Sequence, residues 1–311
     1  MKVLSLFDGM ACGMLAFQKA GIKVKNYDAY EIDKYAIKTA THNFPNIKEH
    51  GDVFKADFTQ YKGVDFVIGG SPCTYWSIAQ KNNRETEASG MGWELFSQYV
   101  RAVKEAEPKY FIYENNKSIS NTIRESITKA FGLNPICLNS SLVSAQNRQR
   151  LYWVGQRNAD GSYSQINIKQ PKDIGILLED IIENGIPINT TENGKARTVR
   201  ATCYKDGIRN LVGNNIDRKT CVAVRINGDE VKDGDSIYYV KNEQITIKGK
   251  QYHIKLEDGY YIIRKLTVTE CKRLQTIPEW YEFPVSNAQA YKMLGNGWTV
   301  DVIAHILSFI K

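Results

Sequence analysis

Two stretches carry side chains that do chemistry, and each sits at the end of an apolar run. Asp65-Phe66-Val67-Ile68 reads as a buried strand, and Gly69-Gly70-Ser71-Pro72-Cys73 follows it. Paired glycines let a backbone turn sharply and approach a ligand closely, and Pro72 fixes its own φ. Cys73 is thus presented at the carboxyl end of a strand, where open α/β sheets bind ligands, and is a candidate nucleophile. Tyr110-Phe111-Ile112-Tyr113 is the second run, ending in Glu114-Asn115-Asn116. A carboxylate at the tip of an apolar strand is a candidate proton donor or hydrogen-bonding anchor. Further on, Gln146, Arg148 and Arg150 alternate, so an extended chain puts all three on one face.

These groups need a scaffold, and the first 157 residues supply one. Lys2 to Phe7 reads as a strand, Asp8 to Gly13 as a turn, and the Met14, Leu15, Phe17 spacing as a helix closed by Gly21. Strand, glycine turn and helix make a nucleoside cradle, although Ala11 departs from the dinucleotide fingerprint. Val24 to Tyr30 reads as a second strand ending at Glu31-Ile32-Asp33. Glu31 is placed to accept from ribose hydroxyls. Asp52, before Val53, is a candidate acceptor for an exocyclic amine. Glu94 to Glu107 reads as an amphipathic helix with Leu95, Tyr99, Ala102, Val103 and Ala106 on its apolar face. The last helix spans Thr299 to Ile310, with Val300, Ile303, Leu307 and Ile310 inward.

Residues 158–263 change character. Asn-Gly, Asp-Gly and Lys-Gly turns (227–228, 233–234, 248–249, 258–259) separate short Val, Ile and Tyr runs, which predicts a small β-rich domain with hairpins. Lys195, Arg197, Arg200, Lys205, Arg209, Arg218, Lys219 and Arg225 crowd part of it, a basic face suited to phosphates or guanine edges.

Bulk composition is compatible with this. The 311 residues are 42% hydrophobic and 24% charged, enough for one large domain or two modest ones. Lys plus Arg is 41 against 34 for Asp plus Glu, a net charge of +7 that suits a polyanion partner. Six cysteines show no metal-ligand spacing and read as reduced thiols. No run is long enough to span a membrane and the N-terminus is no signal peptide.

In order along the chain stand Phe7-x-Gly9, Glu31, Asp52, Pro72-Cys73, Glu114-Asn115, Gln146-x-Arg148-x-Arg150, a stretch from Arg264 to Pro278, and Gly295-Asn296-Gly297-Trp298. That series resembles the DNA (cytosine-5) methyltransferases over about residues 1–157 and 264–311. Ser71, Ala11 and the Gly297-Trp298 pair look closer to the eukaryotic de novo branch, while Asn116 stands where the family usually has valine.

The resemblance implies an α/β protein: a Rossmann-like S-adenosylmethionine-dependent sheet with helices on both faces, formed by 1–157 and 285–311. A β-rich target recognition domain would span 158–284, with 264–284 as its hinge. It implies Cys73 as nucleophile at cytosine C6, Glu114 on N3 and the exocyclic amine, and Arg148 and Arg150 on O2 and the active-site loop. Phe7, Gly9, Met10, Glu31, Ile32, Asp52, Val53, Gly70, Pro72, Leu95, Asn296 and Trp298 would bind S-adenosyl-L-methionine and release S-adenosyl-L-homocysteine. No metal is implied. Residues 80–92 would form a lid over flipped-out cytosine. Double-stranded DNA is the implied partner of a monomer in the cytoplasm of a bacterium or phage-infected cell, with a cognate restriction endonuclease as a candidate second partner. Two alternatives share these motifs: a transfer RNA methyltransferase of the same fold, and a catalytically silent DNA-binding regulator.

Overall fold

A computed structural model describes residues 1–78, 84–212, 219–227 and 236–310. The chain begins β1 (Lys2–Leu6), α1 (Cys12–Lys19), β2 (Asn26–Tyr30), α2 (Lys34–Asn43), β3 (Lys48–Glu49), β4 (Phe66–Gly69) and α3 (Gly90–Ala106). It continues β5 (Tyr110–Asn116), α4 (Asn121–Phe131), β6 (Ile136–Asn139), β7 (Gln146–Asn147), β8 (Gln149–Arg157) and β9 (Tyr163–Gln165). The main sheet runs β3-β2-β1-β4-β5-β8-β6, with β9 on β8. β1 to β5 are mutually parallel, and β8 is antiparallel to both β5 and β6.

The apolar runs are continuous because both sheet faces are covered. Side chains alternate between faces along a strand. Val3, Phe66 and Ile68 enter one core with α1, while Leu4, Leu6 and Val67 enter the other with Phe96, Tyr99 and Trp153. Helix starts are fixed by local chemistry. Asp33 caps α2 by accepting from Tyr35 N at 3.0 Å, and Ser120 caps α4 by accepting from Ile123 N at 3.2 Å.

The second half holds β10 (Ile186–Ile188), β11 (Ala196–Arg197), α5 (Ile208–Val212), β12 (Cys221–Arg225), β13 (Ile237–Lys241), β14 (Gln244–Ile247), β15 (Lys250–His253) and β16 (Gly259–Lys265). Its six-stranded sheet runs β10-β12-β16-β13-β14-β15, antiparallel throughout, around Cys221, Ala223, Val240, Ile245 and Tyr261. Lys248 and Gly249 both take positive φ between β14 and β15, the two-residue turn that matches strand twist. Gly228, Asp233 and Gly234, from two of the expected turns, lie outside the described residues.

The chain returns through α6 (Val268–Leu274), α7 (Asn287–Asn296) and α8 (Val300–Leu307). A capping box of Thr267 and Glu270 starts α6. The expected hinge 264–284 divides here. β16 runs to Lys265 in the six-stranded sheet, but Cys271, Leu274, Ile277 and Tyr281 share a core with Val3 and Phe17. Their apolar side chains find cover on the main sheet, so this stretch packs with it. No helix among the described residues is long and apolar enough to cross a membrane.

Candidate active site

The carboxyl ends of β1, β2, β4 and β5 surround a cavity of about 340 Å³. One wall comes from the β1–α1 turn. Phe7 and Ala11 there take φ of 57° and 61°, unusual for side chains of this kind. Glu31 ties the turn to β2. Its Oε2 accepts from Gly9 N at 2.8 Å, and its Oε1 from Ile32 N and Asp33 N at 2.8 Å each. Ile32 is 76% exposed at the cavity, an apolar plate beside the carboxylate. Lys292 of α7 bridges to Asp33 at 2.7 Å across the rim.

Asp8 lies on the same wall. Ser5 Oγ and Tyr27 Oη both donate to its Oδ1 at 2.5 Å, while Oδ2 has no hydrogen-bond partner among the described residues. Burial pushes the Asp8 carboxyl up to about 6, against those two donors and with help from the nearby Glu31 charge. Glu49, whose oxygens also lack partners among the described residues, is pushed up to about 8 by burial, then by Asp8 and Glu31. A wall with an orphaned carboxylate oxygen fits a ligand carrying positive charge or N–H donors.

Cys73 and Glu114 form the opposite wall. Cys73 opens a 3₁₀ turn and is half-buried, with the fully buried Trp76 behind it. Ser71 Oγ and Tyr113 Oη lie 2.6 Å apart, and Asn115 Nδ2 donates to Tyr113 Oη at 3.2 Å, which fixes the loop against β5. Gly70 is required: a Cβ there would stand 2.8 Å from Glu114 O and 2.9 Å from its Oε2. Glu114 Oε1 pairs with Arg150 Nε at 3.0 Å, and Oε2 accepts from Trp298 Nε1 at 3.1 Å. Cys12 is the other thiol at the cavity. Burial pushes it up to about 12, so it stays protonated and inert.

The structure brings Cys73, Glu114, Arg148, Arg150, Phe7, Gly9, Met10, Glu31, Ile32, Gly70, Pro72, Asn296 and Trp298 to this one cavity. Three expected cofactor residues are absent from its lining. Asp52 faces its own backbone, with Oδ1 accepting from Phe54 N at 3.0 Å to cap a short 3₁₀ turn. Val53 is buried beside Leu4 and Tyr30. Leu95 is half-buried, because α3 begins at Gly90 and its buried stripe passes through Phe96. Asp8, Asp33 and Lys292 line the cavity and were not expected there. The polar Asp8, immediately after an apolar strand and before Gly9, was the available signal for the first of them.

Arg148 departs from its expected role on the base. It is buried, and its guanidinium donates to Val199 O at 3.0 Å and to Gly295 O and Gly297 O at 2.9 Å each. Desolvation, then repulsion from Arg150, pushes it down to about 9, so it remains charged at neutral pH. It clamps main chain from two distant segments.

Two further expectations change. In the lid, 79–83 lie outside the described residues, so Gln80, Lys81, Asn82 and Asn83 have no placement. The return is pinned: Arg84 donates to Trp76 O at 3.0 Å and Ser118 O at 2.6 Å, and Glu85 accepts from Trp76 Nε1 at 3.2 Å and Gly92 N at 3.1 Å. Of the expected basic face, Lys195 is buried and donates to Ser144 O and Ile176 O, Arg225 is exposed and pairs with Glu257 at 3.0 Å, and Arg218 lies outside the described residues.

A ligand cradle at the carboxyl ends of parallel strands, facing a thiol and a carboxylate–guanidinium pair, defines an α/β group-transfer enzyme. The family profile described as C-5 cytosine-specific DNA methylase matches residues 1–311, and the chain belongs to that family. It is thus a methyltransferase acting on carbon 5 of cytosine. Among curated relatives, type II methyltransferase M1.ScrFI of Lactococcus lactis subsp. cremoris is 29% identical, covering 97% of this chain and 76% of that one. Type II methyltransferase M.HhaI of Haemophilus parahaemolyticus is 25% identical, covering 98% and 93%. Among solved structures, a Spodoptera frugiperda DNMT2 mutant superposes with a TM-score of 0.69 at 18% identity, covering 99% and 98%, a likeness of fold.

Proposed function

We propose that the chain transfers a methyl group from S-adenosylmethionine to carbon 5 of a cytosine flipped out of double-stranded DNA, through a covalent bond between Cys73 and carbon 6. The observation that carries this reading is the single cavity with Cys73 and the Glu114–Arg150 pair on one wall and Glu31, Ile32 and the unpartnered Asp8 Oδ2 on the other. S-adenosylmethionine fits the second wall: Ile32 offers a face for a purine, Glu31 has lone pairs for ribose hydroxyls, and the buried Asp8 carboxyl adds negative charge behind them. That cofactor supplies an electrophilic methyl group.

Cytosine C5 is a poor nucleophile until the ring is made an enamine. The Cys73 thiolate adds its electron pair to C6, and the C5=C6 pair shifts into the ring. Glu114 binds N3 and the exocyclic amine and stabilises the protonated ring, with Arg150 holding the carboxylate in place. The electron density returned to C5 would form the C5–methyl bond as the donor's sulfur–methyl bond breaks, its electron pair staying on the sulfur of S-adenosyl-L-homocysteine. A base then removes the C5 proton, the C5=C6 bond reforms and the Cys73 thiolate leaves. Water must be kept from the ring during these steps.

DNA is favoured over transfer RNA by the type II names of the relatives that cover nearly the whole chain. Target choice is assigned to residues 158–263, where Arg197, Thr198, Arg200 and Lys219 line a second cleft. A methylation assay with labelled cofactor on duplex DNA and on transfer RNA tests the reading. Label in 5-methylcytosine of DNA, falling steeply with salt as phosphate contacts are lost, supports it. Label in RNA alone overturns the substrate, and label in neither overturns the activity.

A further inference from the structure

Glu114 is held from two sides. Arg150 Nε meets Oε1 at 3.0 Å, and the indole N–H of Trp298 meets Oε2 at 3.1 Å. The two donors come from opposite ends of the chain's site. Arg150 belongs to β8, beside β5, while Trp298 follows α7, and its neighbour Gly297 sits close against Met10 of the β1–α1 turn and Cys12 Sγ at the start of α1. The segment Gly297–Trp298 therefore packs on the turn that borders the cofactor wall and reaches the carboxylate of the opposite wall.

The segment carrying the indole is rigid. Arg148 donates to Gly295 O and Gly297 O, and the buried Gln275 donates to Leu294 O at 2.6 Å and Gly297 O at 3.3 Å. Thr299 Oγ1 donates to Gln275 Oε1 at 2.8 Å. A Cβ on Gly297 would stand 2.9 Å from Met10 Cε, so the loop packs directly on the β1–α1 turn. A donor anchored this way holds its acceptor in place.

The alternative for Glu114 is visible in the same geometry. An arginine beside a carboxylate favours a two-pronged pair, in which both oxygens face the guanidinium. The Trp298 N–H holds Oε2 out of that arrangement, and Gly70 leaves space for it there. The lone pairs not used by Arg150 and Trp298 then remain for a ligand in the cavity. We propose that Trp298 is a positioning residue, whose indole N–H fixes the plane of Glu114 for the target base and keeps it from collapsing onto Arg150. This rests on the reading of Glu114 as the base-binding carboxylate.

The test is a double-variant cycle of Trp298→Phe and Glu114→Gln, with Trp298→Tyr measured alongside as a second ring that lacks the indole donor. Wild type is first assayed on duplex DNA and on transfer RNA, and the cycle is run on whichever it methylates. An inert wild type overturns the functional reading and this proposal with it. Trp298→Phe is expected to lower kcat by roughly tenfold to a hundredfold, the weight of a hydrogen bond to a charged group. Its cofactor Kd by calorimetry should stay within about threefold, since the ring is kept. In the Glu114→Gln background the same change should matter by less than about twofold, because the carboxylate it positions for the base is gone, even though the amide oxygen can still accept from the indole. Unchanged kcat, additive losses in the double variant, or a loss accounted for wholly by cofactor Kd would each overturn the proposal.

Discussion

Asp8 has a folded-state carboxyl pushed up to about 6 from 3.8, with burial as the largest cause. Between those values the folded protein binds the proton more tightly than the unfolded chain does. Stability from this group is therefore complete below about pH 4 and is lost as pH rises through about 6. Two units amount to about 3 kcal/mol. Asp8→Asn cannot ionise and should lose that pH dependence. The amide oxygen can still accept from Ser5 and Tyr27, while an amide N–H replaces the unpartnered Oδ2. That orphan donor costs about 1 kcal/mol or more at every pH, so the readout is the slope and not the offset. Urea unfolding of the cofactor-free protein between about pH 4 and about pH 7 should show the variant gaining roughly 2–3 kcal/mol on wild type. Glu49, pushed up to about 8, extends the wild-type fall above pH 6, and loses a repelling neighbour in the variant. Parallel profiles for the two proteins would refute the assignment of Asp8 as a buried, strained carboxyl.

Arg148→Ala should destabilise the fold by about 3–5 kcal/mol, since one buried and two part-buried carbonyls lose a charged donor. Arg148→Met tests the same claim with volume kept, and a urea midpoint equal to wild type in either variant would count against the clamp. Glu31→Ala should weaken S-adenosylmethionine binding by roughly 1–3 kcal/mol in calorimetry, because it removes the acceptor of Gly9 N as well as the ribose contact. An unchanged affinity removes Glu31 from the cofactor wall.

The sheet was legible in the sequence because its strands are buried on both faces and read as unbroken apolar runs. Phe66 to Ile68 and Tyr110 to Tyr113 are found where the runs lie, and Cys73 and Glu114 follow at their tips. Alternation placed Gln146, Arg148 and Arg150 on one face but could not say what each would meet. Arg148 meets carbonyls from Val199 and Gly295, 51 and 147 residues away, and no local pattern encodes that. Leu95 lies outside the cavity lining: the helix starts four residues earlier than Glu94, and its buried stripe runs through Phe96. Asp52 lies outside the cavity lining, its Oδ1 capping its own backbone at Phe54 as a short polar side chain before a turn can. Lys292 and Asp33 meet across 259 residues, a juxtaposition set by the return of α7.

The covalent step is the centre of the account. Duplex DNA with 5-fluorocytosine at the methylated position lets the thiol add and the methyl transfer, but fluorine cannot leave as a cation, so elimination stops. Wild-type protein should form an adduct with this DNA that survives denaturing electrophoresis, and only with S-adenosylmethionine present. Cys73→Ser should form none, because a serine hydroxyl is a far weaker nucleophile than a thiol. Cys12→Ser should leave the adduct in place, since that thiol is buried and protonated. An adduct that persists in Cys73→Ser would contradict the assignment of Cys73 as the nucleophile.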